Sequence, residues 1–310
     1  MKRLAALLLL CALLTGCAPA VPEPVPGRLQ IVAAVFPAYD FARAAVGDLA
    51  DVSLLLPPGA ESHSYEPTPA DILRVQNCDL FIYLGGESDA WVDTILTAVE
   101  PAGQSLRLTD CVTLLEEEEH DHHDHDHQHG AGEVMEMDEH VWTSPANAAS
   151  LTRTIGETLA GLDPVHGDAY RNNAEDYAAR IDALDAEFSQ FFQGLDSRTM
   201  VFGDRFPLRY FAEEFDVDYY AAFPGCGAQT EPSAATVALL TEKARGLPAV
   251  WYIEFSNHLV ADSIAEAAGT QTALFHTCHN VSKAELDAGA TYLSLMENNL
   301  ATLWDVMGGD

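Results

Sequence analysis

Twelve histidines stand in this chain of 310 residues, and their spacing divides them into two groups. His120, His122, His123, His125, His127 and His129 alternate with aspartates in one acidic run that opens at Glu116. The other six are scattered. His166 sits in the turn Asp163-Pro164-Val165-His166-Gly167 and His258 follows Ser256-Asn257 at a helix start, placements that a loop residue and a cap explain. His63, His140, His276 and His279 remain. Neutral imidazole suits zinc, copper, iron or nickel, and a mixed nitrogen and oxygen set with few waters suits zinc or manganese. Each of the four, taken singly, is an ordinary polar residue; together, in so acidic a chain, they point to metal binding. Imidazoles on the acidic run impose no rigid geometry, so that segment is expected to bind zinc weakly and release it quickly, as an auxiliary capture site. A solvated charged insert with incidental affinity is the alternative reading.

The elements that must hold these groups follow from the apolar pattern. Leu29–Phe36, Asp51–Leu56 and Asp79–Leu84 read as buried strands, with helices over Tyr39–Gly47, Thr68–Asn77 and Ala90–Val99 between and after them. Thr68 before Pro69 is a helix start. In the second half, Thr199–Phe202, Asp218–Ala222, Ala249–Phe255 and Thr272–Phe275 read as strands, with helices over Tyr210–Phe215, Ser233–Arg245, Leu259–Ala268 and Ala290–Met307. Such alternation predicts an α/β protein of two lobes, each a parallel-rich sheet with flanking helices. Between them Tyr170, Ala174, Tyr177, Ile181, Leu184, Phe188 and Phe191 recur at steps of four and three, which makes one long backbone helix of about 37 Å joining the lobes. His63 and His276 each follow a strand directly, where ligands of open α/β sheets bind. The run 116–132 has no apolar periodicity and is expected to be a disordered loop.

The first residues address compartment. Lys2 and Arg3, then an apolar stretch from Leu4 to Leu14, have the form of an export signal, too short for a spanning helix. It ends in Leu14-Thr15-Gly16-Cys17, which resembles a lipobox, so Cys17 is expected to be lipidated after cleavage. The expected division is a signal over 1–17, a proline-rich tether over 18–28, an N-terminal lobe over 29–166, a linking helix over 167–195 and a C-terminal lobe over 196–310. Loss of Lys2 and Arg3 takes the net charge from −33 to −35. That field repels nucleic acid and anionic lipid and concentrates cations, so membrane contact is expected only through the N-terminal lipid. Four cysteines remain in the body, Cys78, Cys111, Cys226 and Cys278. In an oxidising compartment they favour disulfides, and of the three possible pairings Cys78–Cys111 with Cys226–Cys278 keeps each bridge within one half of the chain.

Several stretches resemble one family, the zinc- and manganese-binding receptors of ABC importers. They are Phe36-Pro37-Ala38-Tyr39-Asp40-Phe41, Pro57-Pro58-Gly59 with His63, Glu66-Pro67-Thr68-Pro69-Ala70-Asp71 and Trp91-Val92. After the His-rich run come His140-Val141-Trp142 with Pro145, then Tyr292-Leu293-Ser294-Leu295-Met296 with Asn299-Leu300. The resemblance implies two lobes on one long helix and a monomeric lipoprotein on the outer face of the cytoplasmic membrane. It also implies delivery of metal to a permease and its ATPase, with His63 and His140 as the N-lobe ligands. The C-lobe departs from the family pattern. Where zinc members carry a histidine, this chain has Gly203-Asp204-Arg205-Phe206, and near the late carboxylate it has Phe275-His276-Thr277-Cys278-His279. The expectation is that His276 supplies the missing imidazole and Asp204 the fourth ligand, with His279 as the substitute for either. An ion pair of Asp204 with Arg205 or Arg209 competes with that role. Zn2+ is the expected transported ligand and Mn2+ or iron(II) the alternative. A zinc reservoir or adhesin is a different class of reading. An exported metallohydrolase is another, for which Glu61, Glu66 and Glu254 are available but no HExxH helix or GxSxG turn exists, so no enzymatic activity is expected.

Overall fold

In the computed structural model the described residues are 27–86, 89–116, 137–223 and 232–308. The signal with Cys17, the six histidines of the acidic run and Cys226 lie outside them. The first half runs β1 (Gln30–Ala33), α1 (Phe36–Val46), β2 (Asp51–Leu54), α2 (Pro69–Gln76), β3 (Leu80–Tyr83), α3 (Ala90–Ala98) and β4 (Gln104–Arg107). Every pairing is parallel, in the order β2-β1-β3-β4. Two helices follow, α4 (Pro145–Leu162) and α5 (Gly167–Gln193). The second half runs β5 (Met200–Arg205), α6 (Arg209–Phe215), β6 (Tyr219–Phe223), α7 (Ala234–Ala244), β7 (Ala249–Tyr252), α8 (Leu259–Ala268) and β8 (Gln271–Leu274). Its sheet, β6-β5-β7-β8, is again all parallel and repeats the strand order of the first. The chain closes with α9 (Lys283–Asp287) and α10 (Tyr292–Met307).

Local chemistry sets these boundaries. Thr68 and Asp71 form a capping box around Pro69, closing the open donors of α2. Apolar side chains of α5 from Tyr170 to Phe191 are buried along one stripe, as the four–three spacing predicts. The helix α4 lies against α5, and Gly156 permits the approach: a Cβ there would stand 2.5 Å from that of Ala174. Arg153 bridges Glu175 and Asp182 across the same pair. Where α5 reaches the second sheet, Phe188 and Phe192 meet Phe211 of α6 edge-on and lie against Phe215, while Phe191 packs on Trp304, so a single apolar core runs from one lobe into the other.

The expected Cys78–Cys111 disulfide is corrected, while the Cys226–Cys278 pairing involves a cysteine outside the described residues. Cys78, Cys111 and Cys278 are free thiols. Cys78 precedes β3 and Cys111 follows β4, the neighbouring parallel strand, so the two stand at opposite ends of the sheet. Four strand residues separate them by about 13 Å, beyond the roughly 7 Å that a disulfide spans between Cα atoms. Cys278 is fully buried, its thiol directed at the His276 carbonyl.

Candidate metal site

Loops at the carboxyl ends of both sheets face each other and enclose a cavity of about 110 Å³. From the first lobe it is lined by Gly59 to His63, and from the second by Asp204, Arg205, Ile253 to Ser256, Thr277, His279 and Asn280. That volume holds an ion with a few waters and is well under the roughly 300 Å³ at which sites for organic ligands begin. Backbone and side chains fasten the two walls together. Asn280 donates its amide to Pro57 and Ala60 carbonyls at 2.9 Å, Gly59 N–H donates to Val281, and Trp142 Nε1–H donates to the Thr277 carbonyl at 2.9 Å. At the rim Arg205 of one lobe pairs with Glu61 of the other at 3.5 Å.

Each candidate donor has a local reason for its place. His63 lies exposed on a short 3-10 turn, Ser62–Ser64, after the Pro57-Pro58-Gly59 bend that stops β2. His140 is 2% exposed and precedes another 3-10 turn, Val141–Thr143. Asp138 takes the His140 backbone N–H at 2.7 Å and the Nδ1–H at 3.0 Å, which fixes the tautomer with its lone pair on Nε2. Burial alone would raise the Asp138 carboxyl, but the charge and hydrogen bonds of His140, with Arg209 beyond, hold it below the ordinary carboxylate range. Asp138 is in turn clasped from the second lobe, since Tyr210 donates its hydroxyl to the Asp138 carbonyl at 2.7 Å.

Asp204, 8% exposed, ends β5 at an irregularity in the β5–β6 register, where bulges re-aim side chains. Its oxygens accept the Arg205 backbone N–H at 2.8 Å and face Ile253 N–H at 3.4 Å. Gly203 before it lets α8 lie against the strand: a Cβ there would stand 2.3 Å from the Ala261 Cα. The guanidinium of Arg205 turns to Glu61, which leaves the Asp204 carboxylate on the cavity wall.

The two late histidines part company. His276 is 5% exposed and turned into the fold, its Nδ1 accepting the Cys278 N–H at 2.9 Å and its backbone paired with the Asn299 side chain. It does not line the cavity. His279 does, and its ring centroid lies 5.9 Å from that of His140 and 5.1 Å from that of Trp142. Its Nε2 is buried without a hydrogen-bond partner. Burial, with the His140 and His63 imidazoles close by, holds His279 well below the usual imidazole range, so it stays a neutral donor. A buried lone-pair nitrogen with nothing to bind, among other imidazoles and a carboxylate, fits a divalent cation. Among the described residues no three His, Cys, Asp or Glu side chains yet converge within coordinating distance of one point.

Sequence reasoning gave Asp138 no role, considered Glu254 only as a carboxylate available to a hydrolase, and did not find the Arg205–Glu61 link. Glu254 lines the cavity and is held by Thr277, whose N–H and hydroxyl donate to it at 2.7 and 2.5 Å. The Asp138-x-His140 spacing was a usable signal for the first of these. The other two come together only through tertiary structure.

Comparison with known proteins identifies the family and the fold. The family model described as zinc-uptake complex component A, periplasmic (ZnuA), matches residues 31–306. The zinc-binding lipoprotein AdcA of Streptococcus pneumoniae is 30% identical over 98% of this chain. The chain spans only 60% of that relative's length. The high-affinity zinc uptake system protein ZnuA of Bacillus subtilis is 32% identical, over 90% of this chain and 87% of the relative. Among solved structures, the Zn(II)-bound ZnuA-like domain of the pneumococcal AdcA superposes with a TM-score of 0.74 at 26% identity, covering 91% of this chain and 100% of that one. The metal-dependent lipoprotein YcdH of Bacillus subtilis gives 0.75 at 28%, covering 90% and 100%.

Proposed function

The chain belongs to the zinc-uptake component A family, and from that membership we propose that it is an exported receptor that takes up one zinc ion between its lobes and hands it to an ABC importer. The ligands are His63, His140 and His279, with Asp204 as the carboxylate. The observation that carries this reading is the orphaned Nε2 of His279, buried beside His140 on a cavity that His63 and Asp204 also line. Three imidazoles and one carboxylate favour zinc over manganese, which prefers more oxygen. The expectation for His276 gives way in this proposal to its neighbour three residues on: the Nε2 of His276 is likewise buried without a hydrogen-bond partner, but it lies 3.8 Å from Glu285 and off the cavity that His279 lines.

Binding proceeds by drawing in side chains more than by moving lobes, because several buried hydrogen bonds already cross the interface. His63, exposed on its turn, is the mobile ligand: it meets the hydrated ion and rotates inward as waters leave. His140 is pre-set by Asp138 and loses little freedom on binding. Lipid attachment at Cys17 keeps the receptor beside its permease. The organism itself provides the test. Deleting the gene is expected to slow growth in zinc-chelated medium and to be rescued by added zinc or by the wild-type chain, but not by His140→Ala/His279→Ala. Undiminished growth without the chain would instead support a passive zinc reservoir.

A further inference from the structure

On the side of the molecule served by α1 and α5 lies a second cavity, of about 400 Å³, large enough for a small organic anion. Its walls include Arg43 of α1, Arg180 of α5, and Gly289 and Thr291 of the turn before α10. Both guanidiniums are stacked on tyrosine rings, Arg43 at 5.4 Å over Tyr39 and Arg180 at 5.8 Å over Tyr177. Stacking fixes the two forks without using their N–H groups. In a chain with 48 acidic and 15 basic residues, a guanidinium without an ion pair is conspicuous. Seven other arginines hold a carboxylate in direct contact, whereas Arg43 and Arg180 make no such ion pair or hydrogen bond among the described residues, although the charge of Arg43 acts from a distance on the buried Asp40.

Two acids also line the cavity and restrict what fits. Asp40 is buried, with Oδ2 accepting the Tyr177 hydroxyl at 2.6 Å and the Tyr292 N–H at 2.9 Å. Asp176 is exposed, one helical turn from Arg180. An oxyanion with its own hydroxyl satisfies both kinds of wall, oxygens to the arginines and a proton to an aspartate. Nothing in the zinc reading calls for this cavity. Arg28, the second described residue, bonds the Asp48 and Ala50 carbonyls, close in sequence to Gly47, another wall residue.

We propose that Arg43 and Arg180 form a phosphate-binding site, which takes a phosphate group between the two guanidinium forks at the joint of α1, α5 and α10. Inorganic phosphate and a phospholipid headgroup share that chemistry. The test uses the zinc-free chain from Ala18 to Asp310, which keeps every described residue, beside its Arg43→Gln/Arg180→Gln counterpart. One arm titrates inorganic phosphate by calorimetry with sulfate as comparison; the other measures co-sedimentation with phosphatidylglycerol and phosphatidylcholine vesicles. Saturable phosphate binding that weakens at least about tenfold in the double variant supports a soluble phosphate ligand. Vesicle binding lost in the variant, with inorganic phosphate bound weakly or not at all, supports a headgroup. Absence of both, or binding that the variant retains, overturns the site. Zinc content and melting temperature of the variant should match the parent, since neither arginine touches the metal cavity.

Discussion

Replacing Asp138 by asparagine keeps the shape of the group that orients His140 and removes its charge. In the parent, one carboxylate oxygen accepts both the backbone N–H and the Nδ1–H of His140. Asparagine can still accept through its carbonyl oxygen, but the imidazole becomes less basic and its ring is held less firmly. Loss of such a partner typically costs 10- to 100-fold in metal affinity, or about 1.4–2.7 kcal/mol. Arg209, which acts on Asp138 electrostatically, loses part of its counter-charge, so a modest fall in zinc-free stability of about 1 kcal/mol accompanies it. The assay is competition against a fluorescent zinc chelator at pH 7.5, with melting temperature measured on the stripped protein. A second variant, Gly203→Ala, supplies the comparison: it is destabilised by a clash and keeps every donor. Unchanged zinc affinity in Asp138→Asn would refute the argument. So would a loss no greater than that of Gly203→Ala at a similar drop in melting temperature.

Other perturbations separate the remaining roles. His279→Ala should lose tight zinc binding by at least about 100-fold, whereas His276→Ala should keep it within about tenfold while losing roughly 1–3 kcal/mol of stability, because the buried Cys278 N–H loses its acceptor; competitive titration and urea unfolding would show the reverse if His276 were the ligand. Gly203→Ala forces α8 away from β5 and should lower the melting temperature by about 4–8 °C, for a cost near 2 kcal/mol. A melting temperature within 1 °C of the parent, about the scatter of such a scan, would mean α8 yields freely. Asp89 is buried, and burial with the nearby Glu139 charge lifts its carboxyl to about 7 despite hydrogen bonds from Leu84 and Gly85 N–H. The folded chain therefore keeps a proton that the unfolded chain releases near pH 4, so this group makes stability fall as pH rises from about 4 to about 7. The cost above pH 7 is at most about 4 kcal/mol. Asp89→Asn should be the more stable chain at pH 8 and should flatten the pH dependence of the urea midpoint, and an unaltered slope would show that Asp89 titrates normally.

Much of this was legible before any coordinates. Strand and helix alternation, the long stripe from Tyr170 to Phe191 and the loops bearing His63 follow from apolar periodicity and from proline and threonine boundaries. β4 escaped notice because Gln104, Ser105 and Arg107 are exposed on an edge strand and carry no apolar run. α4 was also missed, although Ser144 before Pro145 marks its start and Ala148, Leu151, Ile155 and Leu159 trace its buried face. In the candidate site, the proposed preference for His279 over His276 rests on a loop conformation. Cys278 sits between them at φ 61°, and that reversal aims the two imidazoles in different directions. No spacing rule reports it. The cysteine pairing failed for a related reason, since nearness in sequence placed Cys78 and Cys111 in one lobe without saying that they stand at opposite ends of its sheet.

The central claim is one tight zinc site between the lobes, independent of the histidine-rich run. It is tested most directly by competitive zinc titration and metal content of the chain from Ala18 onward, with residues 117–136 replaced by Asn-Gly to keep the Glu116–Met137 bridge. The account predicts one tight equivalent, lost in the same chain carrying His63→Ala and His140→Ala. Absence of tight zinc in the shortened chain, or its survival in the double variant, would contradict the account.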